Sequence, residues 1–177
     1  LHESIALEAL ASGIHVMLEK PMAPSVDGCA RILAAAQAAK DRFMLAENAQ
    51  YWPEVAIVEQ ALGDGAIGDL VTARVQLFFP PMPQYYGGEK VWRLDKQAAG
   101  GGLSIDTGSH YIRPLRIWMG EIEEVVAAME TPFPGMEGES LVRSIFRFAS
   151  GPVASFDLLL TTGAIAPQEM FRITGTE

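Results

Sequence analysis

The chain has 177 residues, 49% of them hydrophobic and 20% charged, a globular balance with length for one good core or for parts of two domains. Acidic residues outnumber Lys and Arg by 22 to 13, and no Lys/Arg cluster makes a basic face, so nucleic acid is excluded as the expected partner. Apolar runs are broken before membrane-spanning length, no secretory leader is visible, and a lone cysteine, Cys29, excludes an intrachain disulfide; a cytoplasmic protein without a membrane partner is expected.

In chain order, residues 3–12 predict a short helix ended by Gly13. Residues 14–18 (IHVML) read as a buried parallel strand, with Glu19, Lys20 and Pro21 leaving it. Ser25 caps a second helix reaching to about Lys40, and residues 43–46 form another buried strand. A third helix runs from Pro53 to Leu62, and residues 63–68 (GDGAIG) make a turn. Val71, Ala73, Val75 and Leu77 then alternate with polar neighbours, as in a half-exposed antiparallel strand. Residues 80–99 form a long loop, followed by a helix to about Met119. Strands are expected at 122–129, 140–149 and 153–160, the last two joined at Gly151-Pro152, and residues 171–177 read as a strand and its turn. The fold class is α/β plus α+β, with the boundary near residues 48–52, α/β before it and α+β after it. The chain opens without Met in a helix and closes in a strand, which reads as an internal fragment.

Residues 100–110 (GGGLSIDTGSH) carry the most pointed chemistry. On one helix, Asp106 and His110 are four residues apart and share a face, where a carboxylate can fix the tautomer of an imidazole and prepare it for proton transfer. The three glycines let backbone or ligand come close. Pro114 lies four residues after His110 and cannot donate to its carbonyl, so a kink is expected there. Lys20 follows a parallel strand, the place where α/β sheets hold ligands; the alternative is a solvated lysine paired with Glu19. Pro21 makes the preceding bond a candidate for the cis form. Trp92 and Arg93 either clamp a ligand or anchor the long loop. The spacing G-x-G-x-x-G at 63–68 sits between a helix and a strand, the reverse of a dinucleotide fingerprint, and is read as a turn. His2, His15 and His110 are scattered, with His15 placed on a strand, so no metal site is expected, and no G-x-S-x-G elbow supports a hydrolase.

Together these residues resemble the Gfo/Idh/MocA family of NAD(P)-dependent oxidoreductases. The resemblance rests on four blocks: residues 2–21 ending in Glu19-Lys20-Pro21, the turn at 66–70 (AIGDL), Trp92-Arg93, and GGG…D-x-G-x-H at 100–110. It implies that residues 1–49 are the C-terminal part of a Rossmann NAD(P)-binding domain and residues 50–177 an α+β domain with a large, mostly antiparallel open sheet, and that the activity is hydride transfer between NAD or NADP and a carbinol or carbonyl carbon of a sugar, inositol or related polyol. It further implies Lys20, Asp106 and His110 as catalytic residues. Glu19, Lys20, Pro21, Trp92 and Arg93 would bind the cofactor, and Asn48, Gln50, Tyr51, Asp106 and His110 the substrate. A homo-oligomer through the open sheet is expected as well. The family often continues H-x-x-D after its histidine; here that position is Arg113. The first βαβ unit with its glycine fingerprint is absent from the sequence, so the chain by itself is expected to bind cofactor poorly. The alternative is a dinucleotide-binding regulator or scaffold without turnover.

Overall fold

The computed structural model describes residues 1–39, 42–88, 91–163 and 170–177. The chain divides into two compact units, Leu1–Glu47 and Asn48–Glu177.

In the first unit, helix α1 (His2–Ala11) and helix α2 (Val26–Ala38) pack on a two-stranded parallel sheet of β1 (Val16–Leu18) and β2 (Phe43–Leu45). Ser25 caps α2 by accepting from the Gly28 N–H at 3.1 Å. Gly28, Ile32 and Ala36 repeat every four residues and are buried. Gly28 is needed for contact: a Cβ there would stand 2.9 Å from the Cβ of Ala23. Ala6, Leu18, Ala23 and Ile32 form the core, with Val16, Phe43 and Leu45 packed against it.

The expected buried strand at 14–18 is shorter and more open than its composition suggests. Ile14 and His15 precede β1 and are exposed, so His15 does not lie on a strand. Met17 pairs with Met44 in register, and both are exposed. The helices cover one face of this small sheet, and alternation puts these two methionines on the other.

In the second unit, a 3₁₀ turn (Asn48–Tyr51) and helix α3 (Pro53–Gly63) lead through a turn to β3 (Leu70–Phe79). Gly65 and Gly68 have positive φ, and residues 63–68 form a turn from the end of α3 into β3. Residues 80–99 are not wholly irregular: they hold two single helical turns, α4 (Pro83–Tyr86) and α5 (Lys96–Ala99). Asp95 caps α5 by accepting from the Gln97 and Ala98 N–H groups at 2.8 and 2.9 Å, and Gly100 closes it at φ 83°.

Helix α6 (Leu103–Asp106) and helix α7 (Gly108–Met119) follow, then β4 (Ile122–Glu130), β5 (Leu141–Phe148), β6 (Val153–Leu160) and β7 (Phe171–Gly175). The strand order is β4-β5-β6-β3-β7; only β3–β6 is parallel, so the sheet is mixed and mostly antiparallel. Gly151, at φ 107°, turns the β5–β6 hairpin. Val71 breaks the expected alternation because the β3–β7 register shifts between Leu70 and Thr72, leaving Val71 as the extra, exposed residue of a bulge.

Tyr111, Leu115, Trp118 and Met119 recur at helical spacing along α7 and are buried. They meet Val142, Phe146 and Phe148 of β5 and Ala154, Phe156, Leu158 and Leu160 of β6 in one core. The Trp118 indole N–H donates to the Val55 carbonyl at 3.2 Å, tying α3 to α7. Pro114 sits inside α7 and is fully buried; the helix continues past it to Met119. The opposite face of the sheet carries Arg143, Ile145 and Arg147, and has a groove of about 330 Å³ lined by Thr72, Arg74, Ile145, Val153, Ser155 and Arg172 among others. Among the described residues, no helix is long and apolar enough to cross a membrane.

Candidate active site

Backbone contact accounts for Gly102 in the run Gly100-Gly101-Gly102. A Cβ on Gly102 would fall 2.2 Å from the Glu139 carbonyl oxygen, and one on Gly138 would fall 2.6 Å from the Gly101 carbonyl oxygen. The Leu103 N–H donates to the Glu139 carbonyl at 2.8 Å, and the Glu139 carboxylate accepts from the Ser104 N–H at 3.0 Å and from its hydroxyl. Two backbone segments touch here, which only glycine permits. Gly108 has a similar role at the start of α7, where an added Cβ would crowd Leu158 at 3.2 Å.

Asp106 and His110 do not share one continuous helix. Asp106 ends α6, and Thr107 joins it to α7. The His110 N–H reaches the carbonyl of Thr107, three residues back, at 3.2 Å. That tightened turn replaces the regular i to i+4 spacing expected from sequence. Thr107 keeps right-handed helical angles, so the two short elements still run on in succession.

Around Asp106 the structure gathers side chains from the long loop. The Arg93 Nε donates to Asp106 Oδ2 at 3.0 Å, with both side chains largely buried. The Arg93 guanidinium lies 4.3 Å from the Trp92 ring centroid and 5.1 Å from that of Tyr85. Burial first, and then the charge of Asp106, pushes the Tyr86 phenol up from its ordinary range, against the pull of Arg93 and of a hydrogen bond with Thr107. Burial, followed by Glu54, pushes Tyr111 up as well. Both phenols therefore remain donors at neutral pH. The stability linked to them is intact below their unfolded value of about 10 and is lost as pH rises through the raised folded value.

Beside His110 stands the segment that follows β2. The Trp52 ring lies 6.1 Å from the His110 ring and 5.5 Å, edge-on, from Tyr111. Gln50 Oε1 accepts from Arg113 Nε at 3.1 Å and from Arg113 Nη2 at 2.9 Å. Of the other residues expected here, Asn48 and Tyr51 are exposed.

In the first unit, Lys20 follows β1 and is half-buried, Glu19 is exposed, and the Lys20–Pro21 peptide is cis. The Glu19 carboxylate accepts from the backbone N–H of Lys20 at 3.1 Å. The Pro21 carbonyl oxygen is 2.8 Å from His2 Nδ1. Because β1 and β2 are parallel, the segments leaving them depart from the same edge of the sheet.

The fold and these residues agree with known families. Residues 55–177 match the family described as GFO/IDH/MocA C-terminal domain, and residues 1–47 match the oxidoreductase family with an NAD-binding Rossmann fold. The chain belongs to the Gfo/Idh/MocA family. It is 32% identical over 183 residues to 1,5-anhydro-D-fructose reductase of Ensifer adhaerens, an alignment covering all of this chain and 52% of that protein. A levoglucosan dehydrogenase solved with NADH and levoglucosan superposes with a TM-score of 0.87 at 28% identity, over all of this chain and 50% of that one. The WlbA dehydrogenase of Bordetella pertussis, solved with NADH and UDP-GlcNAcA, superposes with a TM-score of 0.85 at 27% identity, over 99% of this chain and 54% of that one. The chain thus spans about half the length of the Gfo/Idh/MocA proteins it matches.

Three features of the site were not singled out from the sequence: Trp52 against His110, Tyr86 beside Asp106, and Glu139 holding the glycine turn. Each lies 20 or more residues from its partner in the chain, and no short spacing joins them. Among the described residues there is no cluster of three or more His, Cys, Asp or Glu placed to hold a metal ion.

Proposed function

We propose that the chain is part of an NAD(P)-dependent oxidoreductase acting on a carbinol or carbonyl carbon of a sugar, inositol or related polyol. The observation that carries this reading is the half-buried Asp106–His110 segment, built on α6 and α7 and ringed by Arg93, Tyr86 and Trp52. The chain's residues suit a dinucleotide: the segment around Lys20 leaves the carboxyl edge of a parallel sheet, where such folds hold nucleotides. A bound nicotinamide supplies the hydride acceptor, or the donor in the reverse direction.

The protein's own part is positioning and proton transfer. As the substrate C–H bond breaks and its oxygen becomes a carbonyl, a nitrogen of His110 takes the hydroxyl proton. Lys20 donates a hydrogen bond to the reacting oxygen and stabilises the negative charge that develops there. Asp106, fixed by Arg93, orients the imidazole. Glu19, Pro21, Trp92 and Arg93 are assigned to the cofactor's side, and Asn48, Gln50 and Tyr51 to the substrate. The same proposal includes a homo-oligomer formed through the open sheet face. It also includes a cytoplasmic location, supported by a single, half-buried cysteine, Cys29.

Lys20→Met in the full-length protein tests the assignment. Turnover of sugars, followed by nicotinamide absorbance, is expected to fall about 100-fold or more while NADH binding persists. Near-unchanged turnover with binding intact overturns it. A wild-type protein that binds NADH but turns over no sugar or inositol points instead to a non-catalytic homologue.

A further inference from the structure

Arg113 occupies a place in the site that its neighbours do not explain. It lies three residues after His110 on α7, a spacing that puts both side chains on one side of the helix, about 5–6 Å apart at Cβ. It is half-buried, and its guanidinium is gripped through Nε and Nη2 by a neutral group, the amide oxygen of Gln50. The other arginines nearby are neutralised: Arg93 by Asp106, and Arg116 by Glu121 at 2.6 Å. Among the described residues, no carboxylate forms an ion pair with Arg113. Burying part of a cation against an amide costs solvation that the amide only partly returns.

A guanidinium has five N–H donors in a rigid plane. Two are taken by Gln50, which fixes the plane and leaves three, including both on Nη1. We propose that Arg113, held in place by Gln50, is a specificity-determining residue that binds a carboxylate of the substrate, so that the preferred substrate is a sugar acid rather than a neutral sugar. A planar pair of N–H donors matches the two oxygens of a carboxylate. One unneutralised positive charge also matches a monoanion better than a phosphate monoester, which carries about −1.5 to −2 at pH 7.

This inference rests on the oxidoreductase reading, and its test separates the two. The full-length protein with NAD or NADP is assayed on D-glucuronate, D-glucose and D-glucose 6-phosphate. Binding of each to the NADH-loaded protein is followed in parallel by intrinsic tryptophan fluorescence. The wild type is expected to favour glucuronate over glucose by about tenfold or more in kcat/KM, mainly through KM, and to bind it correspondingly tighter. Arg113→Met is expected to collapse that ratio at least about tenfold. Arg113→Lys, which keeps the charge and loses the fork, should restore part of it. Equal or better use of glucose, preference for the phosphate, or a ratio unmoved in Arg113→Met overturns the carboxylate assignment and leaves the oxidoreductase reading standing. Turnover of none of the three sugars, together with no difference in their binding, overturns both.

Discussion

Asp106 shows how one residue's surroundings decide what its chemistry costs. Its carboxylate is 13% exposed and its partner Arg93 is 24% exposed, so the pair is shielded from most solvent. Arg147 and Glu124 on the sheet make a similar contact at 3.2 Å, yet both are more than half exposed. Coulomb attraction is screened in the second case and much less so in the first. Arg93→Met is therefore expected to lower stability by about 1–3 kcal/mol, because it removes a charge-assisted hydrogen bond from a largely buried carboxylate. Arg147→Met should cost no more than about 1 kcal/mol. Urea unfolding of the two variants checks this, and equal losses would mean that Arg93 contributes nothing beyond a surface pair. The proposed proton-transfer pair could be named at this scale from a five-residue window, since Asp106 and His110 lie within it. Arg93, Tyr86 and Trp52 were not legible as its surroundings, because packing between separate elements brings them there.

At the scale of the element, the glycines separate what a pattern shows from what it means. The run at 100–102 stands out in the sequence, but its members differ in cause: Gly100 closes α5 in the left-handed region, and Gly102 meets the backbone of Glu139, brought back by the chain just before β5. Gly102→Ala drives a Cβ into peptide atoms that have no rotamer to move, and an expected loss of about 2 kcal/mol or more follows from overpacking. Gly63, the last residue of α3, is the opposite case: a Cβ there meets nothing within 4 Å, and its φ is not in the left-handed region. Gly63→Ala should raise stability by about 0.5–1 kcal/mol by restricting the unfolded chain. Thermal unfolding of both variants tests the contrast, and a neutral Gly102→Ala would show that the 100–104 turn can relax. Element type was legible wherever periodicity was strong, as in α2, α7, β5 and β6. Joints were not, because Thr107 between α6 and α7 and the bulge at Val71 depend on hydrogen bonding and register rather than on composition.

At the scale of the whole chain, the order of elements was readable because hydrophobic periodicity changes from short apolar runs to alternation near Leu70. Burial was harder to read. A run such as 14–18 is apolar throughout, yet a strand's exposure depends on what covers each face, and Met17 and Met44 lie on the face α1 and α2 leave open. The large sheet poses the same question on a greater area. Its inner face packs α7; its outer face presents Val126, Ile145 and Val153, with Arg143–Asp157 at 3.7 Å and Arg147–Glu124 neutralising much of its charge internally. These two ion pairs, with apolar side chains between them, suit self-association because a pair neutralised beforehand brings no net charge to be desolvated, while Arg74 and Arg172 line the groove beside them. Ile145 is 56% exposed and borders the groove of about 330 Å³, so a carboxylate there would be buried unpaired in a symmetric contact. Ile145→Asp is expected to convert an oligomer of the full-length protein to monomer at about 10 μM in sedimentation equilibrium, with the thermal unfolding of the monomer retained. A wild type already monomeric at that concentration, or a variant that associates as tightly, would remove the open face as the site of assembly.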